Sequence, residues 1–256
     1  MRDWNLISRK KMRNDEDWNI RTMFGPNLNF STTEAYKLVR TNIMFSFPDE
    51  GMGHIIGVTS SIQAEGKSSA SCNIAYALSE AGGRVLLMDG DLRRPSIASK
   101  LGIERLPGLT NLLVSKMGYQ EVIQQCALAP NMDILTSGDI PPNPSELLTS
   151  NRMEKLIETL RKEYDYIIVD LPPVALVSDA LAISKLLDGV VMVVRQGVSD
   201  QQMLAVAMRQ LDMVNARVLG FVYRDVDGTD KKYGLRYGKK YSKYYHRYYN
   251  DYTKGK

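Results

Sequence analysis

His54-Ile55-Ile56-Gly57-Val58-Thr59 runs into Ser60-Ser61-Ile62-Gln63-Ala64-Glu65-Gly66-Lys67-Ser68, and Lys67–Ala81 then continues as an amphipathic segment closed by Gly82-Gly83. The first six residues are β-branched and apolar enough for a buried strand. The segment after Lys67 has helical spacing, and the glycine pair ends it. A loop of this length between strand and helix, finishing in Gly-Lys-Ser, fits a P-loop with Ser61 at the first glycine position. Successive backbone N–H groups wrap an anion there, and the helix N-terminus adds partial positive charge. In that reading Lys67 reaches the β- and γ-phosphates of a nucleotide and the Ser68 hydroxyl meets magnesium.

Working outward, short apolar runs alternate with amphipathic segments. Arg84–Met88, Met132–Leu135, Tyr166–Val169, Val190–Val194 and Val218–Val222 read as strands. Ser145–Arg161, Asp179–Leu187 and Asp200–Val214 read as helices, and Ser31-Thr32-Thr33 offers N-cap chemistry for another running to about Phe45. Buried strands alternating with helices predict an α/β, three-layer P-loop NTPase fold with a mostly parallel central sheet. We expect one domain over residues 31–226, preceded by a flexible leader at 1–30 and followed by a disordered, Tyr-rich tail at 227–256.

Two further stretches place carboxylates where a parallel sheet would present them to a ligand. Val85-Leu86-Leu87-Met88 is followed by Asp89-Gly90-Asp91-Leu92-Arg93-Arg94-Pro95, and Tyr166-Ile167-Ile168-Val169 by Asp170. One Asp after a strand is usually a cap or turn residue. Three pieces in this order on one chain point instead to a nucleotide site with its metal partners.

The 256 residues carry a net charge of +4, and the charge is unevenly spread. Residues 231–256 hold nine Lys or Arg against one acid, a charge of +8, so the remainder carries −4. Eight of the 14 tyrosines fall in the same tail: Tyr233, Tyr237, Tyr241, Tyr244, Tyr245, Tyr248, Tyr249 and Tyr252. No apolar run approaches the roughly 18 residues that cross a bilayer. Cys72 and Cys126 are too far apart in sequence for a metal or redox motif. An acidic body without a nucleic-acid motif argues against a nucleic-acid partner.

Taken together, Lys67-Ser68, the Asp89–Pro95 run, Asp170 and the tyrosine tail resemble the bacterial tyrosine kinases, the P-loop autokinases of capsular and exopolysaccharide systems. Gly138, the Pro141–Leu148 stretch and Ser178-Asp179-Ala180 match as well, so the resemblance covers about residues 30–252. It implies ATP and Mg2+ as cofactors and transfer of the γ-phosphoryl group to tail tyrosines of a neighbouring subunit. Lys67, Asp89 and Asp91 take the catalytic positions. Ser61, Ala64, Glu65, Gly66, Lys67, Ser68 and Ser69 take the nucleotide positions, with Arg224 near the base. Ser68, Asp89 and Asp170 serve the metal. The resemblance also implies a cytoplasmic protein held at the membrane by an activator of the polysaccharide co-polymerase type, and a cognate tyrosine phosphatase.

The chain departs from the family pattern in three places. Glu34, Lys37 and Arg40 occupy the positions of a Glu-x-x-Arg-x-x-Arg motif that closes a ring of subunits, with Lys at the first Arg. Lysine lacks the bidentate fork of arginine. Gln63-Ala64 replaces the usual Pro-Gly, and Ala tolerates positive φ less well than Gly, so a tighter P-loop is expected. Arg224 stands near the usual Asn after the last strand. The competing reading is a partitioning or septum-placement ATPase of the same P-loop branch. Such proteins carry an additional Lys early in the loop, where this chain has Ser60-Ser61-Ile62-Gln63.

Overall fold

A computed structural model describes residues 24–47 and 51–224. The remainder of the expected leader, Pro48 and all eight tail tyrosines lie outside the described residues. The elements are α1 (Phe30–Ser46), β1 (His54–Ser60), α2 (Lys67–Glu80), β2 (Val85–Asp89), α3 (Ile97–Leu101), α4 (Leu109–Val114), β3 (Gln124–Gln125) and β4 (Met132–Leu135). Then come α5 (Pro144–Leu148), α6 (Asn151–Leu160), β5 (Tyr166–Asp170), α7 (Asp179–Ala182), β6 (Gly189–Arg195), α8 (Gln201–Met213) and β7 (Val218–Arg224). They form one seven-stranded sheet in the order β3-β4-β2-β5-β1-β6-β7. Every pairing is parallel except the short edge pair β3–β4.

Strand side chains alternate between two apolar layers, as a sheet covered on both faces requires. Ile55, Leu86, Met88, Ile167, Val169 and Met192 pack beneath α4, α6, α7 and α8. Ile56, Val58, Leu87, Ile168 and Val193 pack against α2 and the N-terminal segment. The sheet therefore sits in the middle of a three-layer α/β fold.

Several expected boundaries move for local reasons. Asn29, not Ser31-Thr32-Thr33, caps α1: its Oδ1 accepts from Thr32 N at 2.9 Å. The single helix expected over Ser145–Arg161 is two, because Ser150 leaves the helix and its Oγ accepts from Met153 N to start α6. Asp179–Leu187 is likewise α7 followed by a 3-10 turn over Ile183–Leu186.

The packed body also begins before residue 31. Phe24 is 6% exposed and meets Tyr76 edge-on, with ring centroids 5.6 Å apart. The 3-10 turn Gly25–Asn27 follows, and Gly25 N donates to Asn73 Oδ1 at 3.0 Å. A polar composition hid one buried aromatic. Phe24→Ala is predicted to cost roughly 3 kcal/mol, the lower end for deleting a buried phenyl ring. In a domain of this size that lowers the melting temperature by about 6–12 °C. A calorimetric scan checks it: an unchanged midpoint would mean that the aromatic anchor contributes nothing.

Candidate active site

Parallel pairing brings the carboxyl ends of β2, β5, β1, β6 and β7 into one row. In register, Asp89 lies beside Asp170, Val58 of β1 lies on the other side of Asp170, and Arg195 lies beside Arg224. The loop from Ser61 to Gly66 rises from β1 at the centre of that row and feeds α2.

Gly66 caps α2 at φ +88°, the left-handed region. A Cβ there would also lie 1.4 Å from Arg224 Nη1. Conformation therefore favours glycine, and any larger residue would displace the Arg224 guanidinium. Ala64 is left-handed too, at φ +64°, which costs a residue with a Cβ about 1–2 kcal/mol. The loop that was expected to be tight is a strained one. Its outer side is gripped by three arginines. Arg94 Nη1 donates to Gln63 Oε1 at 2.7 Å, Arg195 Nη1 to Ala64 O at 2.9 Å, and Arg224 Nη1 to Gly66 O at 3.3 Å.

Glu65 is fully buried, and its carboxylate faces inward. It accepts from Ile62 N at 2.8 Å, from Ser61 Oγ at 3.0 Å and from Ser199 Oγ. The Ser61 and Glu65 side chains therefore brace the loop, and their contribution to holding an anion falls to the backbone. Ser68 is buried, and its Oγ accepts from Lys67 Nζ at 3.2 Å. Ser69 follows in the first turn of α2, where its carbonyl accepts from Asn73 Nδ2.

Lys67 is the centre of the site. Its Nζ lies 2.8 Å from Asp91 Oδ2 and 3.4 Å from both oxygens of Asp170. Burial works against its charge, but Asp170 and Asp91 outweigh burial and hold the ammonium above the ordinary lysine range. Asp170 is fully buried, takes a further bond from Ser71 Oγ at 3.1 Å, and is pushed upward chiefly by burial, with Lys67 and Ser68 opposing. Asp89 Oδ2 accepts from Ser96 N and Ile97 N at 3.1 Å each. Burial first, and Asp170 second, push its carboxyl up to about 8. Its Oδ1 is buried without a partner among the described residues.

One ammonium thus faces three carboxylates. An orphaned carboxylate oxygen, a second buried carboxylate and the Ser68 hydroxyl are hard oxygen donors of the kind magnesium takes. Among the described residues no three His, Cys, Asp or Glu side chains form a closed metal cage.

The loop carrying Asp91 is fixed from outside. Arg93 makes a bidentate pair with buried Asp179, through Nε at 2.6 Å and Nη2 at 3.0 Å, and Ser145 Oγ donates to the same carboxylate. Three stretches quoted separately from the sequence, around Arg93, Ser145 and Asp179, meet at one carboxylate. Arg195 and Ser199 belong to no motif in the sequence. The signal was present: both follow the apolar run of β6, as Asp89 and Asp170 follow theirs. Glu34 and Lys37 pair with each other on α1 at 2.9 Å, and Arg40 Nη1 reaches Ala77 O of α2 at 3.4 Å. All three thus have contacts within this chain.

The raised pKa of Asp89 has a measurable consequence. An unfolded Asp titrates near pH 4, so the folded protein holds a proton that the unfolded chain has lost. Stability falls as pH rises from about 4 and stops falling once pH passes about 8. Asp89→Asn, which keeps an acceptor for the two amides, is predicted to raise the urea midpoint of the nucleotide- and metal-free protein at pH 7.5. Its advantage shrinks toward pH 4. A difference that stays constant over that range would contradict this account.

Comparison with known proteins agrees with the geometry. Residues 53–214 match the family described as "AAA domain". The tyrosine-protein kinase YwqD of Bacillus subtilis is 36% identical over 190 residues, covering 74% of this chain and 79% of YwqD. The kinase domain of the Escherichia coli tyrosine kinase ETK superposes with a TM-score of 0.74 at 30% identity, over 79% of this chain and 78% of that one. The chimerical protein CapA2B2 gives 0.73 at 33%, over 84% and 91%. The septum site-determining protein MinD of Pyrococcus horikoshii, at 24% identity and 0.56 over 67% and 70%, shares the fold alone. A lysine set between paired aspartates on this sheet, with kinase relatives matched over most of their length, places the chain in the bacterial tyrosine-protein kinase family.

Proposed function

We propose that this protein transfers the γ-phosphoryl group of ATP to tyrosine hydroxyls of residues 227–256, between subunits, in control of capsular or exopolysaccharide synthesis. The observation that carries the reading is Lys67 Nζ at 2.8 Å from Asp91 and 3.4 Å from Asp170, at the mouth of the P-loop. Phosphoryl transfer asks mainly for positioning and charge neutralisation. Lys67 neutralises the phosphates, and Asp91 and Asp170 hold its ammonium until they arrive. Magnesium, held by Ser68, Asp170 and Asp89, would supply further charge neutralisation. A tyrosine titrates near pH 10 and must lose its proton as it attacks. Asp89, with its unpartnered oxygen, is our candidate to accept it: alone its carboxyl keeps a proton up to about pH 8, and magnesium beside it would favour the charged form that acts as a base.

The tail's composition suits an acceptor that also acts as a switch. Each phosphotyrosine adds about −1.5 to −2 charges, so four or five cancel the tail's +8. A ring closed through Glu34, Lys37 and Arg40 would require those side chains to exchange their present partners for a neighbour's. CapA2B2, a chimera, supports a companion polypeptide for this kinase, and a membrane-anchored activator fits that role. A cognate phosphatase would reset the tail.

The test is phosphotyrosine formation with ATP and magnesium in the presence of an activating segment. Lys67→Met is expected to reduce the signal at least about 100-fold, the scale for removing one electrostatic stabiliser. Removing residues 231–256 is expected to abolish most acceptor signal while ATP hydrolysis persists. Signal that survives Lys67→Met would overturn the assignment. A localisation ATPase would show hydrolysis in both forms and no phosphotyrosine in either.

A further inference from the structure

We infer that Arg195 is a positioning residue for nucleotide binding, and that it compensates for the alanine at position 64 of the P-loop. The inference rests on the nucleotide-binding reading above. Ala64 adopts a conformation that glycine takes freely and alanine resists, with φ at +64°. The peptide that follows must nevertheless stay in register, because Gly66, Lys67 and Ser68 come next and open α2. Arg195 holds that peptide directly: its Nη1 donates to Ala64 O at 2.9 Å. A charge-assisted bond to this carbonyl fixes the orientation of the peptide plane whose N–H belongs to Glu65. Unbraced, Ala64 would relax toward ordinary negative φ and swing that plane.

The brace is anchored behind. Arg195 ends β6 beside Arg224 of β7, and Gln196 N donates to Arg224 O at 2.8 Å. Arg195 N donates to Ser199 Oγ at 2.7 Å, and Ser199 Oγ donates to Glu65. One short segment, Arg195–Ser199, therefore holds both Ala64 and Glu65. Arg195 Nε is buried without a partner among the described residues. The guanidinium grips the carbonyl side of the loop, so Arg195 acts through Ala64 and is not assigned a contact with phosphate.

The experiment is a double-mutant cycle between Arg195→Gln and Ala64→Gly in the full chain. It reads Mg-ATP affinity with a fluorescent ATP analogue, KM and kcat for autophosphorylation, and the thermal midpoint. With Ala64 present, Arg195→Gln is expected to weaken analogue binding and raise KM about tenfold, with kcat changed less than about twofold. In the Ala64→Gly background, the same change is expected to cost about threefold or less, because glycine holds the conformation without help. Equal losses in both backgrounds would overturn the inference, as would no loss in either. Collapse of the fold in both backgrounds would also overturn it, since Arg195 would then be a general structural residue. Failure of the unsubstituted protein to bind the analogue would instead reject the nucleotide reading.

Discussion

The site is organised around a charge imbalance: the Lys67 ammonium sits among Asp89, Asp91 and Asp170, all three carboxylates nearly or wholly buried. Burying like charges together is costly unless each is paired or bonded. Each carboxylate has a different answer to that cost. Asp91 takes the short contact with Lys67 and the Arg94 amide at 3.0 Å. Asp170 shares Lys67 and takes Ser71. Asp89 takes two amides from the start of α3 and retains its proton up to about pH 8. A cluster left this acidic favours the arrival of positive charge, which in the proposed function a divalent ion accompanying phosphate would bring. Local stability is given up at the place where the chemistry needs it, a common pattern at functional sites.

The remaining architecture serves to keep those groups in place. Register between β2 and β5 sets Asp89 opposite Asp170. Gly90 N donates to Asp170 O at 2.8 Å, tying the turn after β2 to the neighbouring strand. The Arg93–Asp179 pair then holds the far end of that turn, and Ser145 joins it from a third element. Asp179 is fully buried while Arg93 is 44% exposed, so the pair reaches from the interior to the surface. Its value here lies less in net stability, which partly exposed pairs supply sparingly, than in fixing one loop geometry.

The sequence made the sheet and the principal site residues legible because both obey local rules. Apolar runs of four to six residues declared β1, β2, β4, β5, β6 and β7, and the acidic residue after a run declared Asp89 and Asp170. What it concealed depends on contacts far apart in the chain. Phe24 reads as part of a polar leader until Tyr76 and Asn73 stand beside it. Glu65 reads as a phosphate-loop residue, and its inward-turned side chain is held by Ile62 N and Ser61 Oγ nearby and by Ser199, 134 positions later. The helix over Ser145–Arg161 has continuous periodicity, but Ser150 competes with the backbone and restarts it. The two-residue strand β3 is too short to show any period at all.

The P-loop shows how a departure from a family pattern can be absorbed. Gln63 and Ala64 stand where proline and glycine would make the loop stiff and unstrained by themselves. Here Arg94 bonds the Gln63 side chain and Arg195 the Ala64 carbonyl, while Arg224 fills the space above Gly66. Arg195 and Arg224 end β6 and β7, and Arg94 lies between β2 and α3, so the loop is contacted from both sides of β1 along the carboxyl edge of the sheet. The arrangement adds positive charge around a phosphate cradle without using the cradle's own N–H groups, and that charge favours an anion even from the outer side. Arg224 has a second consequence. It is the last residue of β7, and the chain runs from it directly into the tyrosine-bearing segment. The residue that abuts Gly66 is therefore also the one from which residues 225–256 continue.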